Sequence, residues 1–413
     1  MRHLLPAGAL REWIGWIVRS IRTRSLVELP PAYASFERIV RNVLWRKLAH
    51  QAALQNAAAK EVDPETESYL RDHFCSKPFQ SLETTPSGLV HVCCPGWLPT
   101  PIGKLEDGLS DLWKGRMAQR IRQSIVDGSF AYCSRLNCRE ITGRFLERRD
   151  SAHAQAVIRE FASHPDAIPP PKEITLSHDR SCNLSCPSCR KSMFVAGKGK
   201  QKKLDDLMEQ DLLPILKRAE RVSITGSGDP FGSIHFRRLI KRLTREEFPN
   251  LSIHLQTNGL LWDRRAWTDL DLGGRVGTAH ISIDAAEEGT YSVLRRGGSF
   301  KRLLENLAFI KELRESGEIK YLMVSMVVQK LNFRQMPDFV RLGKNYAADE
   351  ISFQMIRNWG TFSWEQFEDI YVGKTSHPDY PDLVGVLAMP ELDWPGVDVG
   401  NVRAHVRAGA ARA

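Results

Sequence analysis

Between residues 172 and 356 the chain alternates two patterns of apolar and polar positions. Short runs with an apolar residue at every second position are typical of half-buried strands, and longer stretches with one every three or four positions are typical of amphipathic helices. The predicted strands are 172–178, 221–225, 250–256, 279–284, 321–328 and 350–356. The predicted helices lie near 204–219, 233–247, 262–270, 300–315 and 335–346. This alternation predicts a parallel α/β sheet, and because six strands are too few for a closed eight-stranded barrel, we expect a partial, open (β/α)6 barrel.

The rest of the chain divides by composition. Residues 1–70 have a helical pattern, and residues 71–143 are rich in Cys, Gly, Pro and Trp with short elements. Residues 144–171 have the pattern of a charged connecting helix that ends in a stiff proline run. The alternating pattern occupies 172–360, and 361–413 is expected to be a C-terminal tail. The sequence thus predicts a small Cys-rich domain ahead of the α/β domain.

The composition is that of a globular protein, with 413 residues of which 42% are hydrophobic and 26% charged, enough for two domains with a core each. The net charge is +9, and residues 1–60 carry +7 of it, from ten Lys or Arg and three Glu. An amphipathic helix at about 9–22 either contacts a membrane surface or a partner, or packs on the protein body. Because no apolar run reaches the ~18 residues of a membrane span and no clear signal peptide is present, we expect a cytoplasmic protein. No nucleic-acid partner is expected.

All eight cysteines lie between residues 75 and 189 in closely spaced sets, which suggests metal binding in a reducing compartment more than a disulfide framework. Cys182, Cys186 and Cys189 form a C-x3-C-x2-C run directly after the first predicted strand of the sheet. Three close thiolates can hold three irons of a cubane cluster and leave the fourth iron open to a ligand. The alternatives at this spacing are a zinc site with His178 as the fourth ligand, or unligated buried thiols.

The later strands also end in polar or glycine-rich residues. After the second strand come Gly226, Ser227, Gly228 and Asp229, where glycine allows close approach of the backbone to a ligand and the carboxylate can accept from an ammonium group. The polar residues that end the other strands are Asn258, Ser282, Asp284, Gln329, Asn332, Gln354 and Arg357. Period two places Ser282 and Asp284 on one face, which suits ribose hydroxyls. Because parallel strands end at one edge of a sheet, these residues predict a polar, nucleotide-like site beside the cysteines, whereas His178 and His280 are expected to be packed or solvated.

On these residues the region 172–360 resembles a radical S-adenosylmethionine (SAM) domain. The 4Fe-4S ligands that the resemblance implies are Cys182, Cys186 and Cys189, with SAM on the open iron. The SAM contacts that it implies are Gly226, Ser227, Gly228 and Asp229 for the methionine amine, and Ser282 and Asp284 for the ribose. The run from Arg295 to Phe300 is similar to a turn and helix start of the peptide-modifying branch. The sequence departs from the family pattern at Ser227 and Asp229, which replace Gly and Glu, and at Ser188, where an aromatic residue is common.

Residues 71–143 resemble the SPASM or twitch module, which binds an auxiliary cluster. The shared features are a Gly-x4-Cys hairpin at Gly88, an Ile-Gly turn at Ile102, a Leu-Trp helix at Leu112 and a later cysteine pair. The ligands implied for a second, fully ligated 4Fe-4S cluster are Cys75, Cys93, Cys133 and Cys138. The module normally follows the radical SAM domain, so the chain looks circularly permuted. A zinc ribbon-like site would use the same four thiolates.

This ligand set leaves Cys94 unassigned. Adjacent strand residues point to opposite faces, so Cys93 and Cys94 are not expected to serve one cluster. Cys94 is then either a small buried side chain or a free thiol that returns a hydrogen atom to a substrate radical, as an epimerase requires.

The resemblance implies an enzyme that reductively cleaves SAM to a 5′-deoxyadenosyl radical, which takes hydrogen from a peptide, a sugar or a small metabolite. It also implies an external electron donor such as flavodoxin or ferredoxin. The alternative is a non-catalytic iron–sulfur binding or electron-transfer protein. The basic run from Gly197 to Lys203 is expected to be a loop that either binds an acidic or phosphorylated substrate or is solvated surface.

Overall fold

The structure is a computed structural model that describes residues 64–135 and 137–403. The predicted amphipathic helix at 9–22 lies outside these residues, as does most of the predicted N-terminal helical segment. The last part of that segment, Pro64–Asp72, is a helix.

Twelve strands and fifteen α-helices are assigned within the described residues. The strands are β1 His73–Phe74, β2 Ser81–Thr84, β3 Leu89–His91, β4 Gly103–Lys104, β5 Glu147–Arg148, β6 Glu173–Leu176, β7 Arg221–Ile224, β8 Ser252–Thr257, β9 Val276–Ser282, β10 Ile319–Val328, β11 Glu350–Met355 and β12 Val397–Asp398. The helices are α1 Pro64–Asp72, α2 Lys77–Gln80, α3 Leu109–Lys114, α4 Arg116–Val126, α5 Arg139–Thr142, α6 Ala152–Ser163, α7 Lys198–Leu207, α8 Leu213–Leu216, α9 Ile234–Arg242, α10 Arg264–Asp269, α11 Glu288–Leu294, α12 Phe300–Glu315, α13 Met336–Asn345, α14 Trp364–Ile370 and α15 Tyr380–Leu387. Shorter helical turns of other types are Leu105–Asp107, Met208–Leu212, Phe333–Gln335 and Pro390–Asp393.

Ten strands form one sheet in the order β12-β11-β10-β9-β8-β7-β6-β2-β3-β4. Strands β6 to β11 follow chain order and run parallel to one another, so the six predicted strands are confirmed. At one edge β2 pairs in parallel with β6, and β3 and β4 continue the sheet antiparallel. At the other edge β12 pairs in parallel with β11. The molecule is therefore a mixed α/β protein with a large parallel sheet, and the curvature of that sheet into a partial barrel stays a prediction.

The Cys-rich region and the last described strand both join this sheet, through β2 to β4 and through β12. The pairing of β2 with β6 sets Leu82 of the Cys-rich region beside Ile174, and both side chains are buried. One continuous buried core extends from Leu70 to Val402. The expectation of a separate core for each domain is therefore wrong, because the Cys-rich region extends the sheet instead of closing on itself. The prediction of a C-terminal tail at 361–413 is also wrong for the described residues 361–403, because they form α14, α15 and β12.

The helices predicted near 233–247, 262–270, 300–315 and 335–346 are confirmed as α9, α10, α12 and α13, and two other helices differ from the prediction. Helix α12 begins where predicted, since the Ser299 hydroxyl caps it by accepting the Arg302 N–H at 3.3 Å. The basic run that was expected to be a loop is instead the first part of α7, which begins at Lys198. Helix α11 was not predicted, because Gly, Thr, Ser and Val are weak helix formers and mask its period. Its stability comes from burial of Tyr291 and Leu294.

Candidate functional site

The loop that follows β6, residues 182–189, is called the cysteine loop below. Cys182 and Cys186 are buried in it, and Cys189 is exposed. The Cys182 N–H donates to the Phe194 carbonyl at 2.8 Å, and the Ser185 N–H donates to the Arg296 carbonyl at 3.1 Å. Backbone hydrogen bonds to two later segments therefore hold the loop at the carboxyl end of the parallel strands.

Each sulfur atom of the cysteine loop has a nearby N–H donor. The Leu184 N–H lies 3.4 Å from the Cys182 sulfur, and Arg190 donates twice to the Cys189 sulfur at 3.4 Å. Arg295 Nη1 lies 3.9 Å from the Cys186 sulfur. Donors of this kind stabilise thiolates that ligate a metal cluster. The donor set therefore fits the cluster that the sequence predicts, and the assignment of its ligands stays a prediction.

Asp229 lies under the cysteine loop with both carboxylate oxygens occupied by the protein. Its Oδ1 accepts the N–H groups of Phe231 and Gly232, both at 3.0 Å. Its Oδ2 accepts the Thr257 hydroxyl at 2.6 Å and the Asn258 N–H at 2.9 Å. Burial raises the pKa of Asp229, and these four hydrogen bonds offset part of that rise. A carboxylate has about four acceptor positions, so this arrangement leaves none for an ammonium group and favours an anchoring role over the predicted direct contact.

The glycines beside Asp229 differ in their surroundings. A Cβ atom on Gly228 would lie 2.5 Å from the Asp179 carbonyl oxygen and 2.8 Å from that of Ser181. Gly228 thus allows close approach to the backbone before the cysteine loop, not to a ligand as expected. A Cβ atom on Gly226 would meet no atom closer than 3.4 Å, so space remains at that position. The Ser227 hydroxyl donates to the Ser177 carbonyl at 2.6 Å and fixes this turn.

Ser282 and Asp284 do not share a face, contrary to the sequence prediction. Strand β9 ends at Ser282, and Asp284 has a φ of 67°, so the two-residue alternation stops between them. Ser282 is half-buried on the polar side of the sheet, whereas Asp284 is buried. The Asp284 carboxylate accepts the Val327 N–H at 2.7 Å and pairs with Arg295 at 2.9 Å. Asp284 therefore orients Arg295 toward the cysteine loop. The sequence analysis missed this role of Arg295. The available signal was the pair of arginines, Arg295 and Arg296, that begins the run from Arg295 to Phe300.

Two asparagines that the sequence placed at strand ends also fix loops. Asn258 donates to Asn183 Oδ1 at 2.9 Å and lies 3.8 Å from the Cys182 sulfur. Asn332 donates to the Asp284 carbonyl at 2.8 Å, and its own side-chain oxygen accepts the Gln329 N–H. Asn258 is thus in contact with the cysteine loop, and Asn332 acts on it only through Asp284.

One face of the parallel sheet is polar and half-buried. Its strand residues with hydrogen-bonding side chains include Thr175, Ser223, His254, Gln256, His280, Ser282, Ser325 and Ser352. The His280 ring is 2.7 Å from the Ser325 hydroxyl, so His280 has a partner within this face. Burial lowers the pKa of His254 and of His280 to about 4, and both rings are neutral near pH 7. The face therefore offers neutral hydrogen-bonding groups.

His178, the candidate fourth zinc ligand, has both ring nitrogens within hydrogen-bond distance of other side chains. Its Nδ1 lies 3.0 Å from the Thr84 hydroxyl, and its Nε2 lies 3.0 Å from His235 Nε2. Both ring nitrogens have partners, and burial lowers the pKa of His178 well below the usual value. The ring is thus packed, as the sequence analysis expected, and the zinc alternative with His178 as fourth ligand is not supported.

Four of the five cysteines of the Cys-rich region line a single cavity, called the four-cysteine cavity below. Its cysteines are Cys75, Cys93, Cys133 and Cys138, and its apolar walls include Leu98, Phe130 and Ile141. Burial raises the pKa of all four thiols, to about 12 for Cys75. Within the described residues, no group of three or more Cys, His, Asp or Glu converges tightly enough to hold a single metal ion. The four thiols share one cavity, and both the auxiliary cluster and the zinc alternative at this site stay predictions.

Cys94 lies apart from that cavity, beside Glu83 of β2 and Arg357. A Cβ atom on Gly96 would lie 3.7 Å from the Cys94 sulfur and 3.8 Å from Arg357 Nη1, so the three groups are close. Burial and the Glu83 carboxylate raise the pKa of Cys94, and burial raises that of Glu83 to about 7. Strand β3 ends at His91, so the strand argument that separated Cys93 from Cys94 does not apply; a bend separates them instead.

The fold and this site together define an α/β protein with a thiol-rich loop after the first strand of its central parallel run and a polar edge around it. Residues 176–343 match the model of the Radical SAM superfamily. A comparison with curated proteins found no match.

Several solved structures are similar to the chain. SuiB of Streptococcus suis is 16% identical, with 60% of this chain and 53% of SuiB covered and a TM-score of 0.39. SuiB bound to the precursor peptide SuiA is 14% identical, covering 72% and 64%, with a TM-score of 0.39. The methyltransferase TsrM of Kitasatospora setae is 13% identical, covering 44% and 36%, with a TM-score of 0.33. In the first of these comparisons the chain spans about half the length of SuiB. At these TM-scores none of the similarities supports a functional assignment.

None of the helices in the described part of the chain combines the length and the apolar character that a membrane crossing requires.

Proposed function

We propose that the chain is an enzyme that cleaves SAM reductively at the cysteine loop and abstracts hydrogen from a polar substrate. The observation that carries the proposal is the loop itself: three cysteines with an N–H donor near each sulfur, at the carboxyl end of the parallel strands and within the residues that match the Radical SAM superfamily model. Three ligands leave one iron of a 4Fe-4S cluster open to SAM. When bound, the cluster and SAM supply the electron and the 5′-deoxyadenosyl radical.

The chain's own residues bind and position these groups. Cys182, Cys186 and Cys189 are the proposed ligands, and Arg190 and Arg295 donate toward two of their sulfur atoms. The space beside Gly226 and the exposed part of Ser282 remain for SAM, whereas Asp229 and Asp284 hold the surrounding loops in place. Positioning of this kind is the protein's main contribution when a cofactor supplies the reactive group.

A second 4Fe-4S cluster is proposed in the four-cysteine cavity, as in a SPASM or twitch module. Cys93, and not Cys94, lines the cavity with the other three cysteines, which supports the ligand set inferred from the sequence. Four ligands leave no open iron, so this site would serve structure or electron transfer. Its strands extend the sheet of a proposed partial barrel, which would keep the two sites in a fixed relation.

The proposed substrate is a peptide, a sugar or a small metabolite that binds the polar face of the sheet. Neutral His254 and His280 with neighbouring hydroxyl groups suit hydrogen bonds to an uncharged polar molecule. Cys94 is the proposed hydrogen donor, because its raised pKa keeps the S–H bond that such a donor needs. The outcome would then be epimerase-like; without that role it would be a dehydrogenation or a cross-link.

The test is release of 5′-deoxyadenosine from SAM by anaerobically reconstituted protein reduced with dithionite. We expect release that depends on both the reductant and the protein. Reducible clusters without any SAM cleavage would favour an electron-transfer protein, and clusters that resist reduction would favour a structural role. A cytoplasmic location and a flavodoxin-like or ferredoxin-like donor follow from the same proposal.

A further inference from the structure

Three consecutive apolar residues are exposed next to the cysteine loop. Met193 is 63% exposed, Phe194 36% and Val195 56%. Consecutive exposed apolar residues lower solubility, and a soluble domain retains them mainly where they bind something. Phe194 is also joined to the loop, because its carbonyl accepts the Cys182 N–H at 2.8 Å. A molecule that covers these residues would therefore sit one hydrogen bond from a proposed cluster ligand.

The charges around these residues are of one sign. Residues 190–204 contain six Lys or Arg and no Asp or Glu. Lys200 lies over the Phe194 ring at 5.2 Å, and the backbone of Lys191 is held by Arg296. Within the described chain, Lys191 and Lys198 form no ion pair, whereas Lys202 pairs with Asp206. The surface is thus an apolar centre with an uncompensated basic rim, and we call it the basic-apolar patch: Met193, Phe194, Val195, Lys191, Lys198 and Lys200.

Two of these lysines occupy an unfavourable place in their helix. Lys198 and Lys200 lie in the first turn of α7, where no acidic residue is present. The N-terminal end of a helix has a partial positive charge, so cations there destabilise the helix. Because this placement costs the helix electrostatic stability, it points to a role in binding an anionic partner.

We propose that the basic-apolar patch docks an acidic one-electron carrier protein whose redox group lies at its surface. The inference rests on the proposed cluster at the cysteine loop. In the step, the reduced carrier loses one electron and the chain gains it at the site of Cys182, Cys186 and Cys189; no bond forms or breaks. Charge complementarity selects the carrier and accelerates its approach, and the apolar centre excludes water at contact. Cys189 of the cysteine loop is itself exposed.

The experiment measures binding and electron transfer separately from SAM chemistry. A reduced acidic flavodoxin and a reduced acidic ferredoxin are the probes, and the reconstituted full chain is the acceptor. Dissociation constants come from biolayer interferometry, and reduction rates come from stopped-flow absorbance. The charge variant is Lys198→Glu with Lys200→Glu, which favours the N-terminal end of α7 electrostatically and so keeps the helix. The apolar variant is Met193→Ser with Val195→Ser. The matched control, Lys241→Glu with Lys320→Glu, reverses exposed lysines that lie away from the cysteine loop, at the end of α9 and at the start of strand β10.

We expect at least one probe to bind wild type more weakly as ionic strength rises. The charge variant should weaken that binding and slow reduction about tenfold or more, and the apolar variant should do so at high as well as low salt. The control should stay within about twofold of wild type, as should reduction of every variant by dithionite.

Four outcomes would overturn the proposal: no salt-dependent binding of either probe, equal effects of charge and control variants, loss of dithionite reduction in the charge variant, or unchanged carrier reduction with impaired binding of an acidic substrate. The last would assign the patch to substrate. Failure of the proposed function itself is distinguishable, because wild type would then not cleave SAM even with dithionite.

Discussion

The cysteine loop and the four-cysteine cavity present the same ligand atom in opposite surroundings. In the loop, N–H groups of Leu184, Arg190 and Arg295 lie near the three sulfur atoms, and Cys189 is exposed. In the cavity, four thiols lie in a largely apolar enclosure whose lining also includes Lys77 and Glu140, and backbone N–H groups donate to Cys75 and Cys138. Three ligands in a polar, accessible loop suit a site that binds a further molecule, and four in an apolar enclosure suit a closed site.

The interactions that hold the cysteine loop and the four-cysteine cavity in place also differ, being polar at the loop and mainly apolar at the cavity. The loop is held by hydrogen bonds from distant strand ends, through Asp229, Asn258 and Asp284. The cavity is held by the hydrophobic core, to which Cys93, Cys133 and Cys138 themselves belong. Loss of one polar anchor should therefore change cofactor binding at the loop, whereas loss of a cysteine in the cavity should change folding.

The largest effect is expected for the triple variant Cys182→Ala, Cys186→Ala and Cys189→Ala. Two clusters hold about eight iron atoms per chain, and the variant should keep about four, with no detectable 5′-deoxyadenosine release. Iron analysis after anaerobic reconstitution and a SAM cleavage assay provide the measurement. Iron that stays near the wild-type content would show that the loop holds no cluster.

For the four-cysteine cavity, Cys133→Ala should remove the second cluster and lower the thermal midpoint, because the site links three segments of one core. Some SAM cleavage with dithionite should remain, since the first site keeps its ligands. Iron content, melting temperature and SAM cleavage are measured together, with Cys94→Ser as the matched control. Zinc in aerobic and anaerobic preparations alike would contradict an iron–sulfur assignment.

Asp229→Ala separates anchoring from direct SAM contact. Removing an acceptor of four hydrogen bonds leaves buried donors unpaired, so the free energy of unfolding should fall by about 3 kcal/mol or more. Chemical denaturation measures this, and the half-exposed Asp206→Ala is the control, with a change of about 0.5 kcal/mol or less. Wild-type stability with SAM affinity weakened roughly tenfold to a hundredfold would instead support the amine contact predicted from the sequence.

Glu83→Gln should change the pH dependence of stability. Burial raises the folded-state pKa of Glu83 from 4.5 to about 7, so the folded state binds the proton more tightly and wild-type stability falls as pH rises through this window. Glutamine does not titrate, so the stability of the variant does not fall in this window. Its free energy of unfolding relative to wild type should therefore increase by about 1–3 kcal/mol between pH ~5 and pH ~8. Denaturation at the two pH values measures it. Parallel curves for the two proteins would mean that Glu83 is ionised throughout.

The smallest effect on iron is expected for Cys94→Ala, which should keep both clusters. The variant should still cleave SAM, but it should convert its natural substrate to product more slowly or not at all, because only the hydrogen donor is missing. Cys93→Ala is the matched comparison and should lose the second cluster. If Cys94→Ala loses iron, Cys94 is the ligand; if it keeps full turnover, the hydrogen-donor role is excluded.

Local pattern predicted much of the fold. The six parallel strands and the cap at Ser299 were visible because periodicity and capping depend on neighbouring residues. The end of β9 was misplaced, since the left-handed backbone at Asp284 is set by contacts with Val327 and Arg295 from other segments. Joining of β2 to β6 was also missed, because pairing between strands about 90 residues apart leaves no local signal.

The sequence alone determined which side chains could hold clusters and which segments could pair as strands, because ligand chemistry and local periodicity belong to the residues themselves. Only the tertiary structure decided how those groups are used. It brought Cys93 rather than Cys94 to the four-cysteine cavity and surrounded Asp229 with four donors. These outcomes depend on which distant groups meet after folding, since each hydrogen bond or shared cavity needs partners that the chain supplies from separate elements.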